Sequence, residues 1–357
     1  MSKITVIGAG KTGRGFLGRL IAESGKEIYF IDKNEELVEE LNNAKTFEVG
    51  FFGNTREPFA VSNYRASVWE DADLSDAELI FVSVGGTNLE DVGAKLNKRL
   101  KPDKKYYIIT CENCSKPSER LKAAINTKNI AISEATVFCT TIEAKGLNIS
   151  SENYPYLQCN ADLLEGYTPD VAAVKPIESF GNFLTRKLYT YNAASCVIAY
   201  MGAFYGFTDY GAAANDARIL KMLDENYSVT NEVLCKEFGY AADDQAEFAA
   251  LSKKKFCDRT ISDTVARNAR EPQRKLGAGE RIIGPMKLIY QNKTVPTVLI
   301  KTAAAALLYR DDNESEWNKI CSESSAQEIL KTVCGLSEGD FLYDEILKYY
   351  NNPDLMR

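Results

Sequence analysis

Apolar positions in the first 140 residues fall into short, almost continuous runs. KITVI (3–7), EIYFID (27–32), AELIFVSV (77–84), KKYYIITCEN (104–113) and NIAISEATVF (129–138) are rich in β-branched and aromatic residues. Such runs read as strands buried on both faces, the mark of a parallel sheet. Helical patterns lie between them: FLGRLIAESG, closing on Gly25, then segments near 88–100 and 117–126. This alternation predicts an α/β fold with a Rossmann-type doubly wound sheet. The stretch between Lys45 and Trp69 breaks the rhythm and reads as irregular or hairpin β structure inserted into it.

Beyond about residue 180 the period changes to that of helices. They are expected at 183–207, 211–237, 243–256, 296–309, 325–334 and 340–350, with a Gly-Pro turn at 284–285 and an acidic link, DDNESE, at 311–316. The pattern therefore predicts an NAD-binding Rossmann domain with a β insertion over 1–180. An all-helical C-terminal domain follows over 181–357 and carries the substrate and catalytic chemistry.

The 357 residues suit two domains, and 45% hydrophobic with 26% charged residues is ordinary for a globular chain. A net charge of −7 argues against nucleic acid or an anionic membrane surface as partner. Nine scattered cysteines and a start that leads straight into a strand point to reduced thiols in the cytoplasm. The uncharged run of 21 residues from Leu188 to Thr208 is long enough to span a membrane, but its asparagine, serine and tyrosines favour a helix buried in protein. There is no histidine, which excludes a Ser-His-Asp triad, a Cys-His pair and histidine-ligated zinc. No metal is expected. Cys111-Glu-Asn-Cys114 has no second pair at zinc-ribbon spacing and reads as two plain thiols, with a redox or metal role as the alternative.

After the first strand comes IGAGKTGRGF, with Gly8, Gly10 and Gly13 spaced as GxGxxG and Lys11 and Thr12 between the last two. Strand, glycine turn, helix, strand and acid follow in order, the context a dinucleotide-binding loop needs. Gly8 permits the tight turn, Gly10 lets backbone approach a pyrophosphate, and Gly13 lets helix and strand close up. The helix N-terminus offers amide donors to the phosphates. Asp32, 19 residues after Gly13, stands where a carboxylate takes the ribose hydroxyls and repels a 2′-phosphate, which favours NAD.

KLYTYNAAS (187–195) puts a lysine at the mouth of the long apolar run. Lys187 is either a solvated helix end or part of a reaction centre with Asn192 and Ser195. In an α-helix Asn192 and Ser195 lie about 60° apart and Lys187 about 140° from Asn192. Oxidising an alcohol needs a base for the hydroxyl proton and donors for the forming oxyanion, and a lysine among apolar walls has its neutral form favoured. A second cluster, Arg259, Arg267, Arg270, Arg274, Lys275 and Arg281, reads either as a salt-bridged surface or as an anion pocket for a phosphate or carboxylate.

Four segments together resemble the polyol-specific long-chain dehydrogenases over nearly the whole chain: IGAGKTGRGF, IITCENCSKPSERLK (108–122), RKLYTYNAASCVIAYMG (186–202) and DTVARNAREPQRKLGAGERIIGP (263–285). The resemblance implies that Lys187 is the catalytic base and Asn192 an oxyanion donor. It places Asn113 near the nicotinamide end of the cofactor site. It implies a polyol, polyol phosphate or sugar acid as substrate, with Arg267, Arg274 and Lys275 as candidates for its anionic end. Two positions depart from the family. Ser195 stands where the family has histidine, and Thr136-Val137-Phe138 where it has Val-Asp-Arg. Two other functions follow from these departures: an NAD(H)-binding sensor that has lost the reaction, or a dehydrogenase of a more apolar alcohol.

Overall fold

The computed structural model describes residues 3–357. The chain forms two compact units, one through Gly181 and one from Asn182 to Arg357. In the first, strands β1 (Lys3–Ile7), β2 (Glu27–Ile31), β3 (Phe47–Phe51), β4 (Phe59–Val61), β5 (Tyr64–Ser67), β6 (Leu79–Val82), β7 (Tyr106–Thr110) and β8 (Ile130–Thr136) precede four more. These are β9 (Thr141–Glu143), β10 (Ile149–Ser151), β11 (Leu157–Asn160) and β12 (Val174–Ile177). The main sheet runs β12-β11-β8-β7-β6-β1-β2-β5. From β5 to β8 every pairing is parallel. Taken along the sheet these six strands have the order 3-2-1-4-5-6, and the order reverses between β1 and β6. That reversal opens a crevice at the strands' carboxyl ends, where doubly wound sheets bind ligands. The expected continuous burial holds: Leu79 to Val82 and Ile4 to Ile7 are buried on both faces of the sheet.

The inserted β structure differs from the expected one. Only β3 and β4 form a hairpin, and they join β10 and β9 in a separate sheet of order β4-β3-β10-β9. Tyr64–Ser67 belongs instead to the main sheet, parallel to β2, with Ala66 opposite Phe30. Its YRAS pattern alternates because an edge strand covers only one face. The helix Glu35–Ala44 escapes a periodicity reading, although its Asn34 cap, which accepts from the Leu37 amide, and its first-turn Glu35 and Glu36 are a regular helix start.

The second unit is helical, as expected. Its core is the helix Thr297–Leu308, buried almost throughout, packed against Phe341–Asn351 and the 197–201 segment. Trp317 is fully buried and donates its indole N–H to the Tyr309 carbonyl at 3.0 Å. Two expected breaks are corrected. Gly284 and Pro285 lie inside the helix Ile283–Gln291, in its first turn, where the missing proline N–H has no helical partner to lose. The acidic stretch 311–316 already enters a helix at Ser315–Glu323. Among the described residues no helix is long and apolar enough to cross a membrane.

Candidate active site

In the first unit the crevice is a cleft of about 470 Å³. Gly8, Gly10, Lys11, Thr12, Asp32 and Asn113 all line it. The glycines are required for different reasons. Gly8 has φ +96°, and a Cβ there would collide with the Ser83 carbonyl. A Cβ on Gly13 would collide with the Gly8 carbonyl, so Gly13 closes helix Gly13–Glu23 onto the loop. A Cβ on Gly10 would meet nothing within 4 Å. Protein packing does not demand a glycine there; a ligand lying against the loop would. Asp32 Oδ2 accepts the Ala9 amide at 2.6 Å, and Oδ1 accepts the Asn34 amide at 3.0 Å. The acid thus ties the end of β2 to the glycine loop and keeps an edge toward the cleft. Arg14 is buried directly below the loop and donates to the Ala9 carbonyl; burial lowers its affinity for its proton.

Asn113 lines the cleft, but its amide is engaged with backbone. It donates to the Val137 carbonyl at 3.2 Å and accepts the Val137 amide at 3.3 Å. It therefore seams the exit of β7 to the exit of β8. Phe138 is buried and stacked on Tyr154, centroids 5.3 Å apart, so an aromatic side chain at this position has become core. Glu112, passed over by the motif reading, accepts the amides of Val84 and Gly85 on one oxygen, at 2.6 and 2.8 Å. Cys111 and Cys114 are both held as neutral thiols, chiefly by burial.

In the second unit the helix that starts at Phe180 is not α-helical where the chemistry was expected. Leu188–Asn192 is a π turn, closed by the Ala193 amide on the Leu188 carbonyl. A turn closed over five residues sets positions five apart nearly above one another. Lys187 and Asn192, about 140° apart on an α-helix, are thereby rotated toward one face. From Thr190 to Gly202 every residue is buried except Asn192 and Ser195, which share the accessible stripe. Ser195 Oγ accepts from the buried Tyr210 hydroxyl at 3.1 Å, which leaves its own proton to point elsewhere.

Lys187 has its pKa pushed down to about 7. Burial is the main cause, and the like charges of Lys255 and Arg281 add to it. The turn is braced from outside. Arg186 is buried, donates its Nε to Gln245 Oε1 at 2.7 Å, pairs with Asp244 at 2.7 Å and lies over the Phe248 and Tyr240 rings. The Gln245 amide nitrogen donates to Thr190 Oγ1 at 3.1 Å. Arg186 and Thr190 flank Lys187, and the fully buried Gln245 holds both.

The basic cluster is split by Arg270, which is extended, and Glu271, which is left-handed. Arg267 is exposed and pairs with Asp263 at 3.0 Å; Arg274 pairs with Glu271 at 2.6 Å. Lys275 is buried, donates to the Asn268 carbonyl, and its pKa is lowered to about 8 by burial first and by neighbouring arginines. Gly284 packs under Tyr189, whose hydroxyl would lie 2.6 Å from a Cβ.

Comparison with known proteins is consistent along the chain. The mannitol dehydrogenase Rossmann domain matches residues 2–142, and the mannitol dehydrogenase C-terminal domain matches 180–339. The chain is 30% identical to mannitol-1-phosphate 5-dehydrogenase of Bacillus pumilus, covering 96% of this chain and 97% of that one. It is 28% identical to the enzyme of the same name from Exiguobacterium, covering 98% and 97%. Among solved structures, substrate-free D-sorbitol dehydrogenase superposes with a TM-score of 0.76 at 11% identity, over 99% of this chain and 94% of that one. Mannitol 2-dehydrogenase of Pseudomonas fluorescens, in a ternary complex with NAD and D-mannitol, gives 0.65 at 10% identity, over 99% and 92%. These two similarities concern the fold.

Proposed function

Because this chain belongs to the mannitol dehydrogenase family, we propose that it is an NAD-dependent oxidoreductase that interconverts a secondary alcohol and a ketone on a polyol. The first unit binds NAD through Gly8, Gly10, Lys11, Thr12, Gly13 and Asp32, and the second carries the acid–base chemistry. The cleft fits such a cofactor: open space at Gly10, amide donors at a helix start and a carboxylate at the end of β2. NAD, when bound, supplies the hydride acceptor or donor. Lys187, neutral, takes the proton of the substrate hydroxyl during oxidation and returns it during reduction. Asn192 donates its amide N–H to the same oxygen, and Ser195 donates its hydroxyl. The observation that supports this most is the lysine itself, its pKa lowered to about 7, on a π turn whose accessible stripe is Asn192 and Ser195.

A phosphorylated polyol is the substrate this reading favours. Arg267 and Arg274 are already engaged by Asp263 and Glu271, so an incoming phosphate would exchange with those carboxylates. All nine cysteines remain thiols, from which we infer a cytoplasmic setting. The test is NAD+ reduction followed at 340 nm with mannitol, sorbitol and arabinitol, their phosphates and several aldonic acids, and NADH oxidation with the corresponding ketoses. Turnover of a hexitol phosphate is expected. Tight NADH binding with silence across the panel would overturn the dehydrogenase reading and leave the cofactor site standing.

A further inference from the structure

The end of the cleft at the exits of β7 and β8 carries a single carboxylate, and we propose that Glu112 biases the cleft toward the oxidised cofactor, binding NAD+ in preference to NADH. This rests on NAD being the cofactor. The charged residues lining the cleft are unevenly spread. Lys11 stands on the glycine loop, Asp32 and Lys33 follow β2, and Lys95 reaches over the Trp69 ring at 5.7 Å while pairing with Asp91 at 2.9 Å. That end holds charges of both signs and includes the acid suited to the adenosine ribose. The opposite end, at the exits of β7 and β8, is lined by Cys111, Glu112, Asn113, Val137 and Cys139. Among these, Glu112 alone bears a charge.

A dinucleotide lies across the crevice of a doubly wound sheet, so adenosine on the β2 side puts the redox ring on the β7 side. Hydride loss gives that ring a positive charge, and hydride gain removes it. The Glu112 carboxylate therefore attracts the oxidised ring and is indifferent to the reduced one. Burial raises the Glu112 pKa above the ordinary carboxylate value, and the two amides donated to one of its oxygens oppose that shift and fix its place. Among the described residues the second oxygen takes part in no hydrogen bond. Neutral neighbours do not screen the charge, since Cys111 and Cys114 are both held as thiols.

Glu112→Gln removes the charge and keeps an oxygen that accepts both amides. Dissociation constants for NAD+, NADH and ADP-ribose, taken by fluorescence titration or calorimetry on the full chain, separate the roles. Affinity for NAD+ is expected to fall about tenfold, with NADH and ADP-ribose changing less than about twofold. An equal loss for all three would make Glu112 a loop clamp only and overturn the proposal, as would an unchanged NAD+ constant. Glu112→Asp, which keeps the charge, is the second variant, needed if the glutamine protein fails to fold. Its NAD+ to NADH ratio should stay near that of the parent, even if both affinities fall, and a collapse of the ratio would equally end the idea. The absence of NAD(H) binding by the unaltered protein would instead remove the cofactor reading beneath it.

Discussion

The two units reach function by different physical routes. The cleft of the first is made largely of backbone: a loop whose glycines avoid collisions with the Ser83 and Gly8 carbonyls, a helix start, and one carboxylate at a strand end. The lysine centre of the second is made of side chains held by other side chains. Gln245 and Lys255 come from one distant helix, Arg281 from a loop, and Tyr210 from a short helix. A backbone site is encoded where it stands and survives divergence as a short motif. A side-chain site is spread along the chain.

The strongest way to break that contrast is at Lys187. Lys187→Met should lower turnover by at least about a thousandfold, while the NADH dissociation constant, a property of the other unit, changes little. It should also stabilise the fold. The lysine pKa is about 7 in the folded chain against an ordinary 10.5, so the unfolded chain binds more protons between those values. Stability of the parent therefore rises with pH across that window, and the penalty of the buried ammonium is fully present below about pH 7. Lys187→Met should gain up to about 5 kcal/mol at pH 6, with the charge-dependent part of the gain vanishing near pH 10.5, as read by urea unfolding. In the parent, alcohol oxidation should rise with pH through about 7, where the lysine becomes a base, and ketone reduction should fall through the same value. A pH-independent stability difference, or turnover surviving in the variant, would remove Lys187 from the role of base.

A smaller effect is expected one layer out. Gln245 is fully buried between Arg186 and Thr190. Gln245→Leu keeps the volume but strips an acceptor from a buried guanidinium, which should cost about 2–4 kcal/mol of stability. Turnover should drop as the π turn loosens, again with NADH affinity retained. A variant as stable as the parent would mean that Asp244 and the aromatic rings suffice to hold Arg186.

The same contrast explains what is legible in the sequence. The order of strands, the glycine loop and Asp32 are local patterns, and they stand where the periodicity puts them. The 45–69 insertion was only half legible, because β3 completes its sheet with β9 and β10, about ninety residues on, and no local pattern announces that partner. Tyr64–Ser67 looked like part of the insertion because it is short and alternates, yet it is the edge of the main sheet. The geometry of the lysine centre was hidden for a stronger reason. An α-helical period is the default, and nothing in LYTYN marks a π turn. Gln245 and Lys255 carry no motif either, and Arg281, though inside the 263–285 segment, is not marked there as a neighbour of Lys187; their effect arises from packing.

The finest test concerns the departure at Ser195. If the serine donates to the substrate oxygen, its orientation matters, and the Tyr210 hydroxyl sets it by occupying the serine's acceptor side at 3.1 Å. Tyr210→Phe removes one oxygen from a buried ring whose packing against Phe256 is unchanged, so the fold should tolerate it. Turnover should fall about threefold to tenfold with KM nearly constant, because the lost interaction matters most as charge builds on the oxygen. In a Ser195→Ala background the same substitution should do almost nothing, since there is no hydroxyl left to orient. Additive losses in the double variant would mean that Tyr210 acts on the unit's packing and not through Ser195, and the serine would then be a passive replacement for the histidine. A coupling that accounts for the whole Tyr210 effect would show that this chain has rebuilt its oxyanion contact from two hydroxyls.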